Sequence, residues 1–239
     1  MTKVLIFIPL WKRSKLFETI AASLRTQTDR LSRYTVQVLC CISPEDPEAD
    51  KLKLICDRHS FDVIQHSNEF LGAKMNAGMS ESLRYDYDYL MNFGSDDLIH
   101  RKLFDIYTPY VSINLPFFGI RSLHFFDVTT KKAIFYSFRK PTCIGAGRMI
   151  HRSIIQSVIE AGHTIYTNER QKALDWNSKV NIEQLTGIRD TVINVDDFPY
   201  IIDMKSETNI NSYQSLFGHG MHVAPASINF AIHYPGVFI

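Results

Sequence analysis

The chain has 239 residues, 26 Lys and Arg against 25 Asp and Glu, and a formal net charge of +1, a length that can bury one sizeable core. Hydrophobic residues make up 45% of it, with 16 Phe and 11 Tyr, which excludes a disordered or low-complexity protein. The near-neutral balance leaves no electrostatic footprint for a nucleic acid or a membrane surface.

Four cysteines, Cys40, Cys41, Cys56 and Cys143, show no metal-ligand spacing and read as buried, reduced thiols. The apolar run at residues 4–8 is too short to span a membrane and no cleavage-site pattern follows it, so a soluble, cytoplasmic protein is expected.

In chain order, residues 4–8 predict a buried strand that Pro9 breaks. From about Ser14, Leu16, Ile20 and Leu24 recur at helical spacing, with Phe17 and Ala21 on the adjoining face. Residues 36–42 predict a second strand, followed by Ser43-Pro44-Glu45-Asp46, a helix near 49–58 and a short strand around 62–65. Gly72 opens a third helix with Met75, Met79 and Leu83 in register, and residues 87–93 form a fourth strand delivering Asp96 and Asp97. Strands alternating with helices predict right-handed crossovers and a mostly parallel, doubly wound α/β sheet flanked by helices.

The second half differs in kind. Residues 117–127 and 133–138 flank a polar turn as a β-hairpin, and helices near 153–161 and 175–185 end at Gly162 and Gly187. Residues 164–173 read as a loop, 191–195 and 200–204 as strands, and 205–212 as a polar segment. No linker separates the halves, so residues 1–100 and 101–239 are expected to share one domain.

An open parallel sheet binds its ligand at the carboxyl ends of its strands. Four elements reach that edge: Pro9-Leu10-Trp11-Lys12-Arg13, Ser43-Pro44-Glu45-Asp46, the helix opened by Gly72, and Gly94-Ser95-Asp96-Asp97. Adjacent acids at the end of a buried strand call for a cation or a hydrogen-bonded substrate, unless they are simply solvated in an Asx turn.

Three motifs in this order and spacing carry a resemblance: Ile6-Phe7-Ile8-Pro9, Gly72-Ala73-Lys74-Met75-Asn76-Ala77-Gly78, and Gly94-Ser95-Asp96-Asp97. The chain resembles nucleotide-sugar glycosyltransferases of the GT-A fold, closest in pattern to glycosyltransferase family 2, well over roughly its first 100 residues and loosely beyond. The resemblance implies a metal-dependent, inverting transfer of a sugar from a nucleotide-diphosphate donor, expected to be a UDP-sugar, to a hydroxyl acceptor, with Mn²⁺ or Mg²⁺. Gly94 stands where the family usually has its first aspartate, which leaves Asp96 as the metal ligand and Asp97 as a second ligand or an orienting neighbour.

Pro9, Leu10, Arg13, Gly72 and Ser95 belong to the donor-binding loops in this reading. Lys74 and Asn76, in a helix's first turn, suit a ribose or phosphate, although a surface lysine and a polar turn would look the same. Glu45 and Asp46 are candidate nucleobase acceptors or ordinary loop acids, and Arg13 meets a phosphate or flanks a helix start.

The family places its general base in a Glu-Asp pair that opens a helix, and here Leu174-Asp175-Trp176 stands in that place. Asp175 is the expected base or, alternatively, a helix N-cap, with Glu169 in reserve. Gly145-Ala146-Gly147 matches a glycine-bearing segment that runs beneath the sugars. The polar segment from Asp203 to Asn209 is a candidate to close over the site, and His219 and His222 are a further metal ligand or merely exposed.

No Gln-x-x-Arg-Trp motif is present, which favours single addition over processive synthesis. One rival is a sugar nucleotidyltransferase, disfavoured because the loop at 9–13 has no glycine. Another is a non-catalytic nucleotide- or glycan-binding module, which Gly94 and Leu174 support. The acceptor stays open among a saccharide, a protein, a small molecule and a hydroxymethylated base in DNA.

Overall fold

Strand β1 (Thr2–Leu10) lies inside a seven-stranded sheet, and its alternating side chains feed two cores. Val4, Ile6 and Ile8 point into one cluster with Phe17, Ile20 and Leu24, while Leu5 and Phe7 point into the other with Met75 and Met79. A strand covered on both faces is apolar throughout, which is why residues 4–8 show no alternation. These elements belong to a computed structural model that describes residues 1–138, 142–205 and 222–237.

The sheet adds β2 (Tyr34–Ile42), β3 (Asp62–Gln65), β4 (Tyr89–Asn92), β6 (Phe117–Ile120), β9 (Met149–His151) and β10 (Thr191–Ile193) in the order β10-β6-β9-β4-β1-β2-β3. All its pairs are parallel except those of β9 with β4 and with β6. Helices α1 (Ser14–Thr28), α2 (Ala49–Arg58) and α4 (Lys102–Ser112) pack on the first cluster. The second is covered by α3 (Leu71–Ser82), α5 (Arg152–Glu160) and α6 (Leu174–Thr186).

Pro9 does not end β1. Its neighbour β4 already stops at Asn92, opposite Phe7, so Pro9 sits beside β2 alone and its missing N–H breaks no ladder on the other side. The first half otherwise follows the alternation read from sequence.

The second half holds a five-stranded sheet in the order β12-β8-β7-β11-β5, built from β5 (Asp97–Ile99), β7 (Ser122–Asp127), β8 (Lys132–Ser137), β11 (Ile201–Lys205) and β12 (His222–Ala226). The hairpin is β7–β8 only. The apolar run 117–127 is two strands, divided at Arg121, with β6 in the first sheet and β7 in the second. A short helix α7 (Phe230–His233) packs its Phe230 on Phe126 of β7. The first core cluster takes residues from both sheets, including Ile6, Phe125 and Ile201. No helix among the described residues is long and apolar enough to cross a membrane, and all four cysteines are buried and free.

Candidate active site

β4 ends at Asn92, the chain turns through Gly94 and Ser95, and Asp97 opens β5. Strand β11 runs antiparallel to β5 with Asp203 opposite Asp97. One oxygen each from Asp96, Asp97 and Asp203 therefore lies within 4.8 Å of the others. Three further contacts shape the cluster. The Gly94 amide donates to Asp97 Oδ2 at 2.6 Å, Arg13 Nη1 lies 2.8 Å from Asp96 Oδ2, and Lys205 Nζ lies 2.7 Å from Asp203 Oδ2.

The electrostatics follow from that crowding. Burial, reinforced by Asp203 and Asp96, pushes the Asp97 carboxyl well above its ordinary value. Burial and then Asp96 raise Asp203 to about 7, against the opposing pull of Lys205 and Arg13. Asp203 Oδ1 is buried with no hydrogen-bond partner among the described residues. An orphaned carboxylate oxygen inside a three-acid cluster is what a hard divalent cation satisfies, so the donor set fits Mg²⁺ or Mn²⁺.

Gly94 belongs to this arrangement. A Cβ there would stand 2.7 Å from both Asp96 Oδ1 and Asp97 Oδ2. An acid at Gly94, which the resemblance expects, would require both of these carboxylates to shift, and here the third carboxylate comes from β11. Sequence reading placed Asp203 only in a polar closing segment. Its overlooked signal is a lone acid inside the apolar run Ile201-Ile202-Asp203-Met204.

A cavity of about 410 Å³ opens beside the carboxylates. Pro9, Asn92, Gly94 and the three acids line one part of it, and Gly145, Leu174 and Asp175 line another. Asp175 is the second residue of α6, behind an Ala173 N-cap in left-handed conformation (φ 54°), so it is not the helix cap. Its Oδ2 accepts from the Gly145 amide at 3.1 Å. A Cβ on Gly145 would fall 1.9 Å from Asp175 Oδ1, so the close approach that requires glycine there is to this carboxylate.

Arg148, which sequence reading missed, fixes that contact from below. Its buried guanidinium donates from Nη1 to the Asp175 carbonyl at 2.9 Å and Ser178 Oγ at 3.0 Å, and from Nη2 to the Cys143 carbonyl at 2.7 Å. The start of α6 and the strand of chain carrying Gly145 are held by one side chain.

The glycine–asparagine motif contacts the loop 164–173. The Gly72 and Ala73 amides donate to the carbonyls of Arg170 and Asn168, and a Gly72 Cβ would stand 2.1 Å from the Thr167 carbonyl oxygen. Asn76 Nδ2 donates to the Tyr166 carbonyl (2.7 Å) and Asn168 Oδ1 (2.8 Å), and Asn76 Oδ1 accepts from the Tyr166 amide (3.0 Å). The first turn of α3 is thereby occupied by the loop 164–173, which leads into Asp175.

Lys74 is likewise engaged by the protein itself. It is 0% exposed, and its ammonium donates to the Leu10 carbonyl, Ser43 Oγ (2.7 Å) and Asn68 Oδ1 (3.2 Å). Burial lowers its pKa to about 8. It ties the ends of β1 and β2 to the loop before α3. Glu45 accepts from the Asn68 amide (2.5 Å) and Ser67 Oγ (3.0 Å), while Asp46 accepts from the Lys12 and Glu48 amides at 2.5 and 2.9 Å. These contacts brace the loops at the ends of β1 and β2.

Leu10 and Ser95 are buried and neither lines the cavity, whereas Pro9 does. Glu169 is exposed on the loop 164–173 and off the cavity wall. Residues 206–209, His219 and the His222 side chain lie outside the described residues. The structure therefore gathers Asp96, Asp97, Pro9 and Asp175 around one cavity with Asp203 and Lys205, sets Arg13 against Asp96 and Arg148 behind Asp175, and places Gly72, Lys74, Asn76 and Glu45 away from the cavity wall.

No protein-family model matches the chain, and no curated protein sequence does either. Solved structures resemble it in three dimensions. S. aureus TarS 1-349 in complex with UDP-GlcNAc has a TM-score of 0.60 at 13% identity, covering 87% of this chain and 60% of that one. S. aureus TarS in a longer form has a TM-score of 0.57 at 14% identity, covering 86% and 37%. A 4-diphosphocytidyl-2C-methyl-D-erythritol synthase has a TM-score of 0.50 at 12% identity, covering 81% and 90%. The chain thus spans less than two thirds of either TarS form. At such identities the likeness speaks to the fold, and the fold of this chain is GT-A-like, a parallel-rich α/β sheet flanked by helices.

Proposed function

We propose that this chain transfers a sugar from a nucleotide-diphosphate donor, a UDP-sugar, to a hydroxyl acceptor, with inversion and with a divalent cation. The observation that carries the reading is the carboxylate trio Asp96, Asp97 and Asp203 sharing one cavity with Asp175. The TarS structure resembling this fold was solved with UDP-GlcNAc, which supports the choice of donor.

In this reading Asp96, Asp97 and Asp203 would hold Mg²⁺ or Mn²⁺, which neutralises the charge growing on a diphosphate leaving group. Arg13 binds a phosphate oxygen by exchanging it for Asp96, which it now contacts. Asp175 takes the proton of the acceptor hydroxyl. The acceptor oxygen bonds to the anomeric carbon while that carbon's bond to the diphosphate oxygen breaks, and the electron pair leaves with the nucleoside diphosphate. Gly145 and Arg148 hold the Asp175 carboxylate and backbone in place for that step.

Calorimetric titration of UDP with and without Mn²⁺, alongside assay of UDP-sugar hydrolysis, tests the reading. Cation-dependent binding and release of UDP are expected. A protein that binds no nucleotide under either condition overturns it, and release of pyrophosphate from a nucleoside triphosphate and a sugar phosphate would point instead to nucleotidyl transfer.

A further inference from the structure

One face of the five-stranded sheet floors the cavity, and its character changes from strand to strand. Asp97 of β5 pairs with Asp203 of β11, Asp203 pairs with Phe125 of β7, and Leu123 of β7 pairs with Tyr136 of β8. Adjacent strands lie about 4.8 Å apart. The floor therefore turns from carboxylate to aromatic within one strand spacing, and stays apolar through Leu123, Phe125, Tyr136 and Phe138.

The aromatic part is ordered by its own packing. Tyr136 meets Phe125 edge to face at 5.0 Å and Phe138 edge to face at 5.4 Å. Tyr136 is only 4% exposed, yet it lines the cavity and its Oη makes no hydrogen bond among the described residues. Its pKa is raised to about 12 by burial alone. A tyrosine in a cavity wall offers a ligand an apolar ring and a polar tip.

Resting on the transferase reading above, we propose that this aromatic floor is the acceptor subsite and that the acceptor hydroxyl is carried on a rigid ring with one apolar face. A diphosphate gains nothing from an apolar floor, and its place is with the cation at the carboxylate end. The acceptor hydroxyl must come within hydrogen-bond reach of Asp175, which lines the same cavity. The ring's apolar face covers Tyr136 and Phe138, beside the Lys205 ammonium that lies 4.9 Å over the Phe125 ring, and one of its polar substituents meets Tyr136 Oη. A rigid ring covers such a floor without the ordering cost of a flexible chain. Two kinds of compound share this chemistry: the pyranose of a glycan and an aromatic alcohol.

Transfer from a UDP-sugar to methyl pyranosides, to 4-nitrophenol and to glycerol, with UDP titrated separately, tests the proposal. The ring alcohols are expected to be used at least about tenfold better than glycerol, a difference of about 1.4 kcal/mol, and whichever ring class turns over identifies the source. Phe138→Ala and Tyr136→Phe are each expected to raise the acceptor KM severalfold while leaving UDP affinity and UDP-sugar hydrolysis unchanged. Tyr136→Phe keeps the ring, so it separates the lost hydroxyl from any failure to fold. Equal use of glycerol, an unchanged acceptor KM in both variants, or weakened UDP binding in Phe138→Ala overturns the subsite. A wild-type protein that binds no UDP overturns the transferase reading itself.

Discussion

Asp203 faces Asp97 directly across the antiparallel pair of β11 and β5, two carboxylates where strand pairing ordinarily disfavours like charges. Arg13 and Lys205 compensate from the sides, on Asp96 and Asp203, but neither contact reaches Asp203 Oδ1. The cluster is therefore tolerated with bound protons or with a cation, and the two compete.

That competition has a sign. Both carboxyls have raised pKa values in the folded state, Asp203 to about 7, so folding takes up protons there. The stabilising contribution is present below the unfolded carboxylate value and is lost as pH rises through about 7. Melting temperature without cation should fall across that window, and Asp203→Asn should flatten the slope. Cation affinity should move the opposite way, with UDP–Mn²⁺ binding tightening from about pH 6 to about pH 8 because the ligands must be deprotonated. Asp203→Asn should weaken that binding about tenfold or more. Titrations at three pH values measure both, and a pH-independent affinity would remove the cation from this cluster.

Much of the first half was legible because its strands are buried on both faces and its helices carry clear apolar stripes, as with Leu16, Ile20 and Leu24. What escaped were switches without a local marker. The break falls at Arg121, while the one glycine of the run, Gly119, sits inside β6 and marks no turn, so β6 and β7 read as one strand. β9 is three residues long, too short for a period to show. At the site, Asp96 and Asp97 were visible as a pair, while Asp203 and Arg148 depend on long-range register and packing that no spacing encodes. Lys74 and Asn76 were visible as motif residues, but a helix's first turn reads the same whether a ligand or the protein's own loop fills it.

Asn76 tests that last distinction. It makes three hydrogen bonds to the loop 164–173, two of them with the Tyr166 backbone, and their loss leaves the buried Tyr166 amide unpaired while its carbonyl keeps the Thr164 hydroxyl. Asn76→Ala should cost about 2 kcal/mol or more in chemical denaturation. UDP affinity should stay near wild type, because the side chain faces the loop and not the cavity. The transfer rate should fall with the loosened approach to Asp175. A loss confined to UDP affinity, with stability unchanged, would return Asn76 to the donor site.

Arg148 contacts Asp175 through the backbone of α6, and in the proposed mechanism it is a positioning residue. Arg148→Met removes three donated hydrogen bonds from a buried site and should destabilise by about 3 kcal/mol. Arg148→Lys keeps the charge and should recover part of that loss. If the arginine positions the base, kcat falls in both variants at temperatures where they are folded, with little change in UDP affinity or donor KM. A variant that folds and turns over at the wild-type kcat would leave Arg148 a purely structural role.

Asp175 carries the last and sharpest test. As a general base it must lose function when its charge is removed, because an amide cannot take the acceptor's proton. As a structural acceptor it needs only an oxygen facing the Gly145 amide, 3.1 Å from Oδ2, which an asparagine carbonyl supplies. It is not the cap of α6, so loss of a cap does not confuse the outcome. Asp175→Asn should therefore melt near wild type and bind UDP with Mn²⁺ as tightly, while the transfer rate drops by about 10²-fold or more. Hydrolysis of the donor by water should drop with it if the same carboxylate activates the water. Wild-type transfer by Asp175→Asn would move the base elsewhere, and the exposed Glu169 would need a rearrangement of the loop 164–173 to reach the cavity.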